Sequence, residues 1–191
     1  MEFDKVILDA DFCIKIGHSD KYKYLEKLVP LICNEAYIHS AVYEEVRDLI
    51  PKAQINHLLE KGILVRCDET ILTPDKKNVY HATYHKLAGV IKNPRNPRKN
   101  EGETCSLAMA KTLGIPYFIT DERELQTIVD MILNTGLADI QCIRIQDIIT
   151  RIRDGGIDGF SRKEAKVMWR MAGKDTGVFD RILWLIDETR N

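Results

Sequence analysis

The sequence predicts an α/β fold in three layers, α/β/α, with a central parallel sheet. Short apolar runs typical of buried strands alternate with longer segments whose apolar residues recur at helical spacing. Strands that alternate with helices are joined by right-handed crossovers, which place helices on both faces of a parallel sheet.

Three apolar runs in the first half of the chain have the length of buried strands: residues 5–9, 36–40 and 63–67. The first clear helix, residues 23–29, is expected to stop near Pro30, because proline disrupts a helix interior. Ser40 is a favourable N-cap for a helix that runs to Leu49. Pro51 suits the first turn of the helix after it.

The second half continues the alternation of helices and strands. The predicted helices are residues 75–91, 103–113 and 122–133. The predicted strands are residues 116–120 and 141–145. Gly114 closes the middle helix, because glycine readily adopts the left-handed conformation that ends helices. Residues 92–102 contain several Pro and Asn residues and are predicted to form a loop.

Residues 151–191 are predicted to form a C-terminal helical hairpin packed on a domain of residues 1–150. Ser161 and Glu164 have the spacing of a capping box, which opens a helix to about Ala172. A second amphipathic helix carries four apolar residues: Val178, Ile182, Leu185 and Ile186. The alternative is that this hairpin provides a surface for a second copy of the chain or for another partner.

Composition excludes several classes of protein. The charges of the 28 basic and 29 acidic residues nearly cancel, whereas proteins that bind nucleic acid over much of their surface are usually basic. No apolar run approaches membrane length and nothing resembles a signal peptide. The five scattered cysteines lack a Cys-x-x-Cys pair, which favours reduced core cysteines in a cytoplasmic protein over disulfides or structural zinc.

Four acidic residues lie where predicted strands end or where the following helices begin: Asp9, Glu45, Glu103 and Asp121. In an open parallel sheet these positions share one crevice, in which ligands bind. Four carboxylates in one crevice repel each other unless a cation neutralises them. Hard oxygen ligands suit Mg²⁺ or Mn²⁺, and these ions suit phosphate chemistry. The pattern therefore indicates metal-dependent cleavage of phosphodiesters.

Helical periodicity separates Glu45 from its neighbour Glu44. Glu45 falls at the edge of the apolar stripe of its helix and is expected to turn inward, whereas Glu44 falls nearly opposite, in solvent. Glu103 shares a stripe with Leu107 and Ala110 in the first turn of its helix. The alternative for Glu103 is a simple favourable interaction with the helix dipole.

Two further polar residues accompany the acids. Asp11 is expected either to cap the helix after the first strand or to act as a secondary contact to the metal or its water. Thr120 is placed to orient a carboxylate or a water through its hydroxyl.

These residues resemble the PIN-domain family of metal-dependent nucleases. The matching stretches are VILDADF, SAVYEEV, EGETCSLAMAKTLG and PYFITDE, which follow in the family's order and spacing between Lys5 and Ile149. The third acid of this family is more often Asp, and Glu103 corresponds to its Gly-Glu variant. The tail beyond Ile149 has no counterpart in the minimal family fold.

The resemblance implies that Asp9, Glu45, Glu103 and Asp121 are catalytic residues that hold one or two divalent ions, with Asp11 and Thr120 in support. It implies an endoribonuclease in which metal-activated water attacks a phosphodiester in single-stranded or structured RNA. Many proteins of this family are toxins held by an antitoxin protein, and others process RNA, so an antitoxin is one of two alternatives for a partner. The near-neutral charge and the unmatched tail disfavour the minimal toxin type. The basic residues of the 92–102 loop are expected either to contact RNA phosphates or to belong to an exposed polar loop without that role: Lys92, Arg95, Arg98 and Lys99.

Two other functions are compatible with parts of the sequence. A haloacid-dehalogenase-like phosphatase would use Asp9 as nucleophile and Asp11 as acid, but it leaves the Gly-Glu helix unexplained. A non-catalytic module that binds nucleic acid or a partner protein would need neither metal nor all four acids.

Overall fold

The computed structural model describes residues 2–92 and 99–184, and it contains a parallel sheet of five strands in the order β3-β2-β1-β4-β5. The strands are β1 (Phe3–Leu8), β2 (Cys33–His39), β3 (Leu64–Cys67), β4 (Tyr117–Ile119) and β5 (Gln141–Ile143). The helices are α1 (Ala10–Gly17), α2 (Tyr24–Ile32), α3 (Ser40–Glu45), α4 (Leu49–Glu60), α5 (Pro74–Ile91), α6 (Glu101–Leu113), α7 (Leu125–Ile132), α8 (Ile145–Arg153), α9 (Arg162–Met171) and α10 (Thr176–Val178). A 3₁₀ turn spans Glu69–Ile71 and a π-helical turn spans Phe179–Leu183.

The order of the strands reverses beside β1. Leu8, the last residue of β1, is aligned with Ile38 of β2 on one side and with Ile119 of β4 on the other. The chain fills one side of β1 with β2 and β3 before it crosses to β4 and β5. The carboxyl end of β1 therefore lies at the switch point of the sheet, where open α/β sheets bind ligands.

The sheet separates two apolar clusters. Val6 and Leu8 belong to one cluster and Ile7 to the other, because successive side chains of a strand point to opposite faces. Buried residues of α1, α2, α4, α8 and α9 join the first cluster, and those of α5, α6 and α7 join the second. The α/β fold with a central parallel sheet is thus confirmed.

The residues after α8 complete the first cluster. Met168, Trp169 and Phe179 are buried in the same cluster as Phe3 of β1. The predicted capping box is present, since the Glu164 N–H donates to Ser161 Oγ and the Ser161 N–H donates to Glu164 Oε2. The predicted boundary at residue 150 falls inside α8, so the extension begins within a helix of the domain.

The second predicted helix of the tail differs from the expectation. It consists of the three residues of α10 and the π-helical turn that follows. Leu185 and Ile186 lie outside the described residues.

The prediction that a helix stops near Pro30 is wrong. Helix α2 continues through Pro30 to Ile32, and Leu28, Val29 and Ile32 are fully buried. Proline removes one backbone hydrogen bond, and the burial of these three side chains offsets that loss.

The prediction that Ser40 caps a helix to Leu49 is also wrong. Ser40 Oγ donates to Asp68 Oδ2 at 2.7 Å, and His39 caps α3 instead. The chain leaves the helical conformation at Val46, and Asp48 then caps α4 by accepting from the Ile50 N–H. The first predicted helix therefore ends at Glu45, and Leu49 belongs to the second predicted helix, in whose first turn Pro51 lies as expected.

The five cysteines are all buried and free, in line with the prediction of core thiols. Among the described residues, no helix combines the length and the apolar character needed to cross a membrane.

His39 is a buried N-cap. Its Nδ1 accepts from the Ala41 N–H at 3.0 Å, and its Nε2 lies 3.4 Å from the hydroxyl of Tyr80. Burial lowers the pKa of His39 to about 4.

This buried histidine should make the free energy of unfolding depend on pH. In the unfolded chain His39 takes up a proton near its usual pKa of about 6.5, whereas in the folded chain it does so only near 4. The contribution of His39 to stability should therefore fall as the pH drops from about 6.5 towards 4, by up to about 3 kcal/mol, against the opposite contribution of Asp9 over the same range. Denaturant titrations at a series of pH values measure this dependence.

The matched variant is His39→Asn, which keeps a capping acceptor but does not titrate. The difference in stability between wild type and His39→Asn should change across this pH range. A difference that stays constant with pH would contradict the assignment.

Candidate functional site

Asp9 is held rigidly at the end of β1. Its Oδ1 accepts from the Ala10 N–H at 2.7 Å, and its Oδ2 accepts from the Thr120 hydroxyl at 2.9 Å. Its own N–H donates to the carbonyl of Ile119 at 2.9 Å. Only 1% of Asp9 is exposed, so this carboxylate is both fixed in position and removed from water.

Asp9 and Glu103 influence each other's charge. Burial, followed by the charge of Glu103, raises the pKa of Asp9 to about 8. Burial also raises the pKa of Glu103, and three nearby carboxylates raise it further: Glu45, Glu122 and Asp11. Glu103 Oε2 is buried without a hydrogen-bond partner. The carboxylates at the end of the sheet therefore form one electrostatically coupled group.

Glu45 reaches this group across Gly102. A Cβ on Gly102 would lie 2.5 Å from Glu45 Oε2 and 3.0 Å from Val42 Cγ2, so only glycine leaves room for this approach of α3 to α6. The residue as a whole is exposed, and the expectation that Glu45 turns inward holds only for its carboxylate, which lies against α6. Burial of that carboxylate raises the pKa of Glu45.

Glu44 is an exposed surface charge, as predicted. It forms an ion pair of 3.0 Å with Arg66. The two adjacent glutamates therefore provide a matched pair for mutagenesis.

Asp121 follows β4 and is only 8% exposed. Two lysines that the sequence analysis did not identify contact its two oxygens. Lys15 Nζ lies 3.0 Å from Oδ2, and Lys174 Nζ lies 3.0 Å from Oδ1. Lys15 follows Asp11 at the spacing of one helical turn, which is a signal in the sequence, whereas no local pattern marks Lys174.

Asp11 does not cap α1, because Asp9 does. Asp11 lies in the first turn of the helix, and its Oδ2 pairs with Lys15 at 2.7 Å. Lys15 thus bridges Asp11 and Asp121, and the interpretation of Asp11 as an N-cap is wrong.

The basic loop is only partly described. Arg95 and Arg98 lie outside the described residues. Lys92 forms an ion pair with Glu101. Lys99 lines a cleft of about 220 Å³ together with Glu103, so one lysine of the loop borders the carboxylate group.

The carboxylate group fits a divalent cation in its chemistry. Hard oxygens are the ligands that Mg²⁺ and Mn²⁺ prefer, and the unpartnered Glu103 Oε2 is a free donor atom. The positions of these carboxylates, however, do not enclose a single ion. Within residues 2–92 and 99–184, no three Asp, Glu, His or Cys side chains are arranged to hold one ion. Both oxygens of Asp121 are instead engaged by lysines.

The burial of Asp9 should lower stability in the metal-free protein. In the folded state the pKa of Asp9 is about 8, whereas in the unfolded chain it is about 4. The resulting loss of stability is absent at low pH and grows as the pH rises from about 4 to 8. Asp9→Asn removes the charge and keeps an acceptor for the Ala10 N–H. In EDTA at neutral pH, it should raise the free energy of unfolding by about 1 to 4 kcal/mol.

Denaturant titration tests this, with Asp11→Asn as the control. That variant loses an ion pair with Lys15 and should gain no stability. An Asp9→Asn protein that is less stable than wild type at neutral pH would refute the assigned cost.

Comparison with known proteins identifies no relative, since no family model, no curated protein and no solved structure matches this chain. The function must therefore be inferred from the side chains at the carboxyl end of the sheet.

Proposed function

We propose that this protein is a divalent-metal-dependent endonuclease that hydrolyses phosphodiester bonds, with RNA as its substrate. The observation that supports this most directly is the coupled carboxylate group around Glu103. Asp9 is buried with a raised pKa, and Glu103 Oε2 has no hydrogen-bond partner. A bound Mg²⁺ or Mn²⁺ would neutralise the Asp9 carboxylate and would provide a partner for Glu103 Oε2. The resemblance of four motifs to the PIN-domain family supports the same four acids.

Each residue has a role in this proposal. Asp9, Glu103 and Asp121 would hold the ion, and Glu45 would join them from α3. Thr120 fixes the carboxylate plane of Asp9 through its hydroxyl. The ion, when bound, supplies an activated water and stabilises charge on the phosphate oxygens. Lys99, in the cleft beside Glu103, contacts a phosphate of the substrate.

The phosphatase alternative has less support. It requires Asp9 as a nucleophile, but the burial that raises the pKa of Asp9 keeps this carboxyl poorly ionised without a cation. It also gives no reason for Gly102, which makes room for Glu45. Release of phosphate from p-nitrophenyl phosphate, without cleavage of RNA, would favour it.

The proposal is tested by cleavage of end-labelled single-stranded RNA with Mn²⁺, Mg²⁺ or EDTA. Wild type should cleave only with metal, and Asp9→Asn and Glu103→Gln should each lower the rate by about a hundredfold or more. Glu45→Gln should also be impaired, whereas its neighbour Glu44→Gln should retain full activity, because Glu44 pairs with Arg66 on the surface.

The controls separate the alternatives. Cleavage that survives in Glu103→Gln would show a contaminating nuclease. RNA that is bound but not cleaved, without any stabilisation by Mn²⁺, would favour a non-catalytic binding module. A homodimer would be detected in the same preparation by size-exclusion chromatography, and so would an antitoxin that copurifies with the chain.

Gly102 provides a second prediction. In Gly102→Ala the new methyl group displaces the Glu45 carboxylate, which can swing away at little cost because it ends a flexible side chain. The methyl group also meets Val42 Cγ2 at 3.0 Å, so the folding stability should fall by about 1 kcal/mol, with the better helix propensity of alanine offsetting part of the cost. The increase in Tm that Mn²⁺ produces should also shrink.

The matched control is Gly114→Ala, which meets no neighbouring atom but has a left-handed backbone. It should lower Tm with and without metal alike. A Gly102→Ala protein that responds to Mn²⁺ as wild type does would exclude Glu45 from the metal site.

A further inference from the structure

Lys174 is presented to the carboxylate group by a well-defined turn. The turn follows α9, and Gly173 adopts a left-handed conformation there. The Lys174 N–H donates to the carbonyl of Trp169 at 3.3 Å, and the indole N–H of Trp169 donates to the carbonyl of Asp175 at 2.7 Å. The Lys174 ammonium also lies 5.4 Å from the ring centroid of Trp169. The lysine is therefore anchored at its backbone and through the contact of its ammonium with Trp169.

The ammonium of Lys174 is directed at Asp121 and largely removed from water. The side chain of Lys174 is 18% exposed and that of Asp121 is 3% exposed. Their 3.0 Å contact is an ion pair, and Asp121 Oδ1 has no hydrogen bond besides it. Lys174 therefore occupies the Asp121 oxygen that no hydrogen bond engages.

The two lysines differ in how firmly they are tied to this site. Lys15 pairs with both Asp11 and Asp121, so it retains a partner if Asp121 turns away. Lys174 has Asp121 as its acidic partner at the site. A dication close to Asp121 Oδ1 repels the ammonium of Lys174, and that repulsion is strong at such short range.

We infer that Lys174 is a tethered competitor of the divalent cation, by which the C-terminal extension sets the affinity of the site for metal. The inference rests on the proposed function, because it takes Asp121 as a metal ligand. Binding of the ion displaces Lys174 from Asp121 Oδ1. The extension thus regulates the carboxylate group and does not serve only to cover the core.

The test is a titration of the full chain with Mn²⁺, measured by calorimetry and by the signal of free Mn²⁺ in electron paramagnetic resonance. Lys174→Gln should bind Mn²⁺ about tenfold more tightly than wild type. Lys174→Met, which keeps an unbranched side chain without the charge, should do the same. Lys174→Arg keeps the charge and should bind as weakly as wild type. Lys163→Gln removes an exposed lysine from α9 and should leave the affinity unchanged.

A second measurement distinguishes competition from a purely structural role. In EDTA, Lys174→Gln should have a lower Tm than wild type, because Asp121 loses one of its two ion pairs. With saturating Mn²⁺ its gain in Tm should exceed that of wild type. A purely structural lysine would lower Tm under both conditions and would not raise the affinity.

The outcomes separate this inference from the proposed function. Mn²⁺ affinity that is equal or weaker in both Lys174→Gln and Lys174→Met would overturn the inference and leave the nuclease proposal standing. Absence of Mn²⁺ binding in wild type and in every variant would overturn both. Equal increases in Mn²⁺ affinity in Lys174→Gln and Lys163→Gln would show that the effect comes from net charge alone. This result would also overturn the inference.

Discussion

The burial of one carboxylate at the end of the central strand constrains the whole carboxyl edge of the sheet. Asp9 receives a hydrogen bond from the first turn of α1 and another from Thr120 after β4, so a single side chain ties together a strand end, a helix start and the neighbouring strand. These two bonds orient Asp9 but do not neutralise it. The fold therefore carries an electrostatic cost where it is most rigid, which is the expected property of a site that is organised before its ligand arrives.

The positions of Asp9, Thr120 and Asp121 could be predicted from the sequence because strand ends are marked by apolar runs. The end of VIL fixes Asp9, and the end of PYFI fixes Thr120 and Asp121, whatever the rest of the chain does. Sheet order then brings them together, since β1 and β4 are adjacent and parallel. These features follow from the spacing of apolar residues along the chain and from general rules for connecting parallel strands. They do not depend on a particular distant contact.

Local signals failed where a distant residue competed for the same group. Ser40 is a good N-cap by type, but Asp68 and Arg66 take its hydroxyl, and the capping position passes to His39. The same limit hid Lys174, whose relation to Asp121 exists only after α9 has packed against α1 and α8. Tertiary contacts of this kind leave no periodicity in the sequence.

The shared core of β1 and the C-terminal extension has a consequence for biosynthesis. Phe3 lies almost at the start of the chain, whereas Trp169 and Phe179 lie near its end, and all three are buried in one cluster. A nascent chain cannot close that cluster until residue 179 has emerged from the ribosome. Contacts between such distant segments slow folding, because a long loop must be ordered before they form. The central strand therefore remains partly uncovered until those residues have been synthesised, and its apolar side chains are then available to chaperones.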